Sequence, residues 1–257
     1  MTSEFKTPDW LPAAEPGMRI LVAGATGGLG RALVAMLAEG SDCVIGAHGS
    51  SQRFETENPK IIPLQRKFEC AQDCEDTVDE FCAKAGGIDA LVSLNGGIHF
   101  PDHWKDMPES EWERDIDVNL NQPFFLARAA LRKMIAQGNG GRIVLNGNES
   151  SLHGGSVFSL PYAISKLGTD CMVQGLAREG APTGILVNGV RLGFIDSGFH
   201  ERWYHRSPAE IQKRVDLIPL KRGGHPDECA ALIVYLLSGW SRFISGQMLA
   251  LTGGDWL

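Results

Sequence analysis

Short apolar runs alternate along the chain with longer stretches in which apolar residues recur every three to four positions. The runs are Arg19–Ala23, Asp42–Gly46, Ile61–Leu64, Ile88–Ser93, Gly141–Leu145, Gly184–Arg191 and Gln247–Leu251. Unbroken apolarity over four to eight residues is the pattern of strands covered on both faces, as in a parallel sheet. Between them, Arg31–Ala38, Glu75–Ala85, Asp115–Met134, Tyr162–Glu179 and Asp227–Leu237 carry apolar residues at helical spacing. The Asp115–Met134 helix is interrupted around Asn119–Pro123, where polar residues and a proline run together. Alternating strands and helices predict a doubly wound α/β domain, a seven-stranded parallel sheet with helices on both faces. Residues 1–17, punctuated by Pro8, Pro12 and Pro16, read as an extended lead-in to one domain over 18–257. The segment 193–219 shows neither period and reads as a long irregular loop.

Composition narrows the class. A chain of 257 residues with 43% hydrophobic content can bury a full core. No apolar run approaches the ~18 residues of a membrane span, and the first ten residues lack the basic-then-apolar order of a secretion signal. A net charge of −7 and a pI near 5.5 argue against nucleic acid or an anionic membrane as partner. Cys43, Cys70, Cys74, Cys82, Cys171 and Cys229 contain no C-x-x-C pair and fit no zinc spacing. They read as buried thiols of a cytoplasmic protein. His99 and His103 lack a third ligand, so no metal is expected and they read as structural or substrate-facing.

Candidate chemistry begins where the first strand ends. Gly24-Ala25-Thr26-Gly27-Gly28-Leu29-Gly30 joins that strand to a helix. Glycines there let the backbone approach a pyrophosphate, while the helix N-terminus offers free N–H groups and the positive end of its dipole. A nucleotide site of Rossmann type is the expectation. The second strand runs into Ala47-His48-Gly49-Ser50-Ser51-Gln52-Arg53 without the acid that holds the ribose 2′-hydroxyl of NAD. Ser50, Ser51 and Arg53 could bind a 2′-phosphate, so NADP(H) is favoured over NAD(H). Further on, Ser159-Leu-Pro-Tyr-Ala-Ile-Ser-Lys166 places Tyr162 and Lys166 four apart, on one helix face. A tyrosine titrates near pH ~10 in water, and a nearby cation lowers that value. Tyr162 is therefore a candidate general acid/base.

With these residues laid out, Met18 to Gly254 resembles the short-chain dehydrogenase/reductase family. Ala23–Gly30 is similar to its Thr-Gly-x-x-x-Gly-x-Gly, with Ala for the opening Thr, and Tyr162 and Lys166 supply its Tyr-x-x-x-Lys. Val118-Asn119-Leu120 resembles its catalytic Asn segment, and Leu94-Asn95-Gly96-Gly97 or, one residue earlier, Ser93-Leu94-Asn95-Gly96 its Asn-Asn-Ala-Gly. Leu192-Gly193 stands for its Pro-Gly, and Thr252-Gly253-Gly254 for its closing Asp-Gly-Gly. The resemblance implies that Gly24, Thr26, Gly28, Leu29 and Gly30 hold the cofactor pyrophosphate and that Asn95 and Gly96 approach the adenosine. It implies carboxamide contacts from Gly193, Ile195 and Ser197, and ribose contacts from Tyr162 and Lys166. Tyr162, Lys166 and Asn119 would be catalytic. The family's Ser, about thirteen residues before the Tyr, falls on Glu149; counted from Gly141–Val144 it falls on Asn148, with Ser150 just beyond. Asn148 and Ser150 both stay open for that role, since an Asn amide can also donate to a substrate oxygen.

The activity implied is hydride transfer between a nicotinamide cofactor and a secondary alcohol or ketone. A regulator that binds cofactor without catalysis and a 3-oxoacyl reductase are the alternatives, the latter docking an acidic carrier on Arg128, Arg132 and Lys133. The 193–219 segment should roof the substrate with Phe194, Phe199, Trp203 and Tyr204, helped by His99, Phe100, Trp104, His153 and Phe158. Such walls favour an apolar or cyclic substrate, while His200, Arg202, His205 and Arg206 leave room for a carboxylate. A homotetramer, or at least a homodimer, would cover the surplus apolar residues of the two long helices.

Overall fold

The computed structural model describes residues 12–100 and 102–255, and the backbone alone of Tyr204. Seven parallel strands stand in the order β3-β2-β1-β4-β5-β6-β7. They are β1 (Arg19–Ala23), β2 (Val44–Gly49), β3 (Ile61–Gln65), β4 (Ala90–Ser93), β5 (Gly141–Asn148), β6 (Ile185–Leu192) and β7 (Met248–Leu251). The order reverses beside β1, which pairs with β2 on one side and with β4 on the other. A crevice opens outside the carboxyl ends of the strands at such a switch point.

β1 shows why its pattern is continuous rather than alternating. Ile20 and Val22 enter a core with Leu33, Leu37, Ile233 and Leu237, from α1 (Gly28–Gly40) and α8 (Pro226–Leu237). Leu21 and Ala23 enter the opposite core with Phe81, Leu126, Met134 and Val173. These come from α2 (Ala71–Ala85), α4 (Gln122–Gln137) and α5 (Leu160–Gly180). Both faces are covered, so every inward position must be apolar. Phe81 is fully buried, a contribution of about 1.5–3 kcal/mol. A Cβ at Gly46 would lie 2.5 Å from its ring, so that strand position has room only for hydrogen.

Three expectations change. The 193–219 segment contains two helices, α6 (Phe199–Tyr204) and α7 (Pro208–Leu217). Ser207 and Glu210 form a capping box at the start of α7, with Pro208 at its first position, a local signal stronger than the weak apolar period. The helix across Asn119–Pro123 is not broken. It widens into a π turn at Asp117–Asn121 between α3 (Glu109–Ile116) and α4, and Pro123 falls in the first turn of α4, where its missing N–H costs little. Among the cysteines, Cys43, Cys74 and Cys229 are buried, but Cys70 and Cys171 are exposed because they fall on solvent faces. The first eleven residues of the lead-in lie outside the described residues, while Ala14 is buried and donates its N–H to Ser41 Oγ at 2.9 Å.

Candidate active site

The crevice at the switch point is a cavity of about 1090 Å³. Gly24, Thr26, Gly28, Leu29, Gly30, Ser50, Ser51, Asn95, Gly96, Asn148, Ser150, Tyr162, Gly193, Ile195 and Ser197 all line it. Lys166 and Asn119 are buried immediately behind the wall. Arg53 is not brought there: it is exposed, on a separate shallow depression with Phe54, Glu55 and Thr56.

The glycine loop suits a phosphate group by what it lacks. The N-cap of α1 is Gly27, which provides no side-chain cap, and the first turn holds no acid. The N–H groups and dipole of α1 are thus left for an anion at the cavity floor. Gly24 adopts φ +81, and a Cβ on it would sit 2.9 Å from the Asn95 nitrogen, so both the turn and the packing require glycine. The donor set and the bare helix end fit a dinucleotide pyrophosphate.

Deeper in, Tyr162 and Lys166 lie in the first two turns of α5, both buried. The Lys166 ammonium lies 5.5 Å from the centre of the Tyr162 ring and donates to the Asn146 carbonyl at 2.9 Å. Burial pulls the Lys166 pKa down to about 8. Asn119 sits in the π turn, and its amide ties two segments together. Nδ2 donates to the carbonyls of Gly97 and Asp115 at 2.7 and 2.8 Å, and Oδ1 accepts the Gly97 N–H at 3.0 Å. A Cβ at Gly96 would come within 2.9 Å of Asn119 Oδ1 and 3.3 Å of Lys166 Nζ, so the three meet at one point.

Asn148 and Ser150 differ in what they have to offer. The Ser150 N–H donates to Asn148 Oδ1 at 2.9 Å, and the Ser150 hydroxyl donates to the same oxygen. That hydroxyl proton is committed. Among the described residues nothing accepts from Asn148 Nδ2, which leaves an amide donor at the cavity wall.

Over the site, α6 folds down. Phe199 lies 6.0 Å from Tyr162, Phe194 stacks on His200 at 4.2 Å, and Trp203 meets His99 edge-on at 5.0 Å. Phe194, Phe199, Trp203 and His99 line the cavity as expected; Trp104, His153 and Phe158 are exposed away from it, and Phe100 is not part of the lining. The Tyr204 side chain lies outside what is described. His200, Arg202 and Arg206 also line the cavity, as does Arg214, which pairs with Asp255. Burial, with Arg206 and Arg214 nearby, takes the His200 pKa down to about 4, so its ring is neutral near pH 7.

A family model described as Enoyl-(Acyl carrier protein) reductase matches residues 24–255. The 3-oxoacyl-[acyl-carrier-protein] reductase of Aquifex aeolicus is 32% identical over 244 residues, 91% of this chain and 95% of its own. L-rhamnose 1-dehydrogenase (NAD(P)(+)) of a Sphingomonas sp. is 34% identical over 250 residues, 93% and 96% of the two chains. A crystal structure of a short-chain type dehydrogenase/reductase from Mycobacterium marinum matches with a TM-score of 0.82 at 27% identity, covering 94% of this chain and 96% of that one. The chain belongs to the short-chain dehydrogenase/reductase family. It is an oxidoreductase of the nicotinamide-dependent kind.

The cavity of this short-chain dehydrogenase/reductase is also lined by residues that its sequence did not announce. Lys67, Phe68 and Glu69 follow β3 and Gln122 follows the π turn. Their signal was positional, because each lies near a strand's carboxyl end or a helix's start. Asp255 reaches the cavity from the far end of the sequence, and nothing local points to it.

Proposed function

We propose that this enzyme moves a hydride between NADP(H) and a compact secondary alcohol or ketone, with Tyr162 as the acid/base. The observation that carries the proposal is Tyr162 at the cavity wall with the buried Lys166 ammonium 5.5 Å from its ring. The cofactor, when bound, supplies or accepts the hydride at carbon. Tyr162 Oη gives a proton to the substrate oxygen during reduction and takes one during oxidation. Lys166 favours the phenolate by its charge. Asn119 keeps the Gly97 segment against α3, and Asn148 Nδ2 donates to the substrate oxygen as negative charge develops.

The roles of Asn148 and Ser150 separate by mutation. Asn148→Ala is expected to lower kcat/KM by about 10²-fold, the usual cost of one oxyanion donor. Ser150→Ala should cost under about tenfold, through a less firmly held Asn148. Steady-state kinetics with one ketone and NADPH decides it, and a larger loss from Ser150→Ala reverses the assignment.

Support for NADP(H) is the absence of a carboxylate between Val44 and Arg53, with the hydroxyls of Ser50 and Ser51 at that end of the cavity, where Lys67 is paired with Glu69 at 2.7 Å. NADPH should bind at least about tenfold tighter than NADH, a difference of about 1.4 kcal/mol. Fluorescence titration with both, followed by a panel of ketones, tests the cofactor and the activity together. Tighter NADH binding defeats the first, and no turnover of any ketone with either cofactor defeats the second.

A free substrate is favoured over one carried on an acidic protein. Arg128 and Arg132 pair with Glu75, and Lys133 with Asp79, so the basic face of α4 is already matched by α2. The six free thiols support a reducing, cytoplasmic setting. No helix among the described residues is long and apolar enough to cross a membrane.

Self-assembly into a homotetramer is supported by two groups of exposed apolar residues. Phe124 and Ile135 of α4 with Ile164 and Leu167 of α5 form one. Tyr235 of α8 and, just beyond that helix, Trp240 and Phe243 form the other, the last two almost wholly exposed. Patches of this kind mark association sites, and two of them used isologously give a closed tetramer. Light scattering is expected to report four chains, two for a Phe243→Glu/Trp240→Glu double variant, and a monomeric parent refutes the assembly.

A further inference from the structure

Above the Tyr162 site lies a second polar pair that the mechanism does not use. Asp115, at the end of α3, is wholly buried, and its Oδ1 accepts both the His99 backbone N–H at 3.0 Å and the His99 ring at 2.7 Å. A carboxylate accepts, so His99 Nδ1 carries the proton and the tautomer is fixed. Nε2 then sits on the other side of the ring, away from Asp115. Among the described residues nothing bonds Nε2, and it is not one of the buried unpaired atoms, whereas Asp115 Oδ2 is. His99 lines the cavity, and its ring edge meets Trp203, which also meets Phe199 beside Tyr162. A cavity with aromatic walls thus holds an oriented lone pair on His99.

The pair is held with more care than a space-filling histidine needs. Asp115 and Asn119 are four apart across the π turn, and Asn119 Nδ2 donates to the Asp115 carbonyl while also holding Gly97, two residues before His99. The same turn therefore fixes the carboxylate and the loop that carries the imidazole. We propose that His99, oriented by Asp115, is a specificity residue that accepts a hydrogen bond from a second hydroxyl of the substrate. The substrate is then a cyclic diol or hydroxy ketone rather than a simple alcohol or ketone. This deepens the hydride-transfer reading above and rests on it.

The test uses three probes with NADP⁺ as oxidant: cyclohexanol, trans-cyclohexane-1,2-diol and cis-cyclohexane-1,3-diol. One diol is expected to exceed cyclohexanol in kcat/KM by about 10- to 100-fold, since a site built around a hydroxyl rejects the analogue that lacks it. His99→Leu should bring that ratio to about one by raising KM for the diol, and His99→Gln, which restores an acceptor, should recover part of it. Melting of the NADP⁺ complex gives a readout independent of turnover: the diol should stabilise the parent and not His99→Leu. A ratio unchanged in His99→Leu, or equal losses for diol and cyclohexanol, overturns the proposal. So does a preference for 2-hydroxycyclohexanecarboxylate over both diols that His99→Leu abolishes, which would mean an imidazolium docking an anion. If no probe turns over yet the diol stabilises the parent alone, the subsite stands, and the hydride-transfer reading falls only if the ketone panel above also shows no turnover. If no probe turns over and none stabilises, the subsite is refuted, and the ketone panel above judges the activity separately.

Discussion

Tyr162→Phe is expected to lower kcat by at least about 10³-fold while leaving the NADPH dissociation constant within about twofold of the parent. The substitution removes one oxygen from a residue that is 6% exposed and leaves its ring against Phe199 and beneath the Lys166 ammonium. Packing and cofactor contacts other than that hydroxyl are retained, so the loss isolates the proton path. General acid/base catalysis is worth about 10²–10⁴-fold, and loss of the oxygen proposed to exchange the proton sets the effect at the upper part of that range. Steady-state kinetics and cofactor titration on the same preparation check it. Retention of most of the activity would move the acid/base role elsewhere in the cavity.

Lys166→Met should abolish turnover and at the same time make the cofactor-free protein more stable. Burial lowers the Lys166 pKa from 10.5 to about 8. Between those values the unfolded chain binds more protons than the folded one, so stability rises with pH from about 8 to 10.5. Below pH 8 the full penalty of holding a buried cation is present, about 3 kcal/mol by the difference in pKa. The bond to the Asn146 carbonyl recovers part of it, and an apolar chain of similar length removes it altogether. Thermal unfolding at pH 7 should show Lys166→Met melting several degrees higher, since about 1 kcal/mol is worth 2–4 °C in a protein of this size. The gap should close at pH 10.5. A variant that melts lower at pH 7 would show that Lys166 is held by favourable contacts and not against its burial.

The sheet was legible because covered parallel strands can only be apolar, and β1 reads that way residue by residue. Gly24–Gly30 and the Tyr162–Lys166 pair were legible for a related reason: each requires particular residue types at fixed spacing. The end of β2 was less so. Arg53 has the right chemistry for a phosphate, but the chain carries it out of the crevice, and spacing along a loop does not fix where a side chain goes. The choice between Asn148 and Ser150 depends on one hydrogen bond between them, which counting from Tyr162 cannot supply. His99 and Asp115 lie sixteen positions apart, and only the fold makes them a pair. The second helix of the 193–219 segment, α7, could have been read from Ser207-Pro208-x-Glu210, a start signal that the missing apolar period obscured, whereas α6 follows Gly198 with no side-chain cap to announce it.

The π turn at Asp117–Asn121 sets a constraint on how this chain can change its length. Each residue of a helix turns its successor by about 100°, and a π turn absorbs a surplus residue within a continuous rod. α3 presents Asp115 to His99, and α4 presents Leu126 and Met134 to the core, and the widened turn keeps those two faces in step despite the surplus. Deleting one residue at Leu120 would restore a regular helix with both faces still in step, but it would remove the widened turn in which Asn119 sits and holds Gly97 and Asp115. Tightening the turn with the residue kept would instead rotate α4 against α3 by about 100°. Loops of this chain can gain and lose residues independently of one another, but in this rod a change of one residue in length and the seat of Asn119 go together.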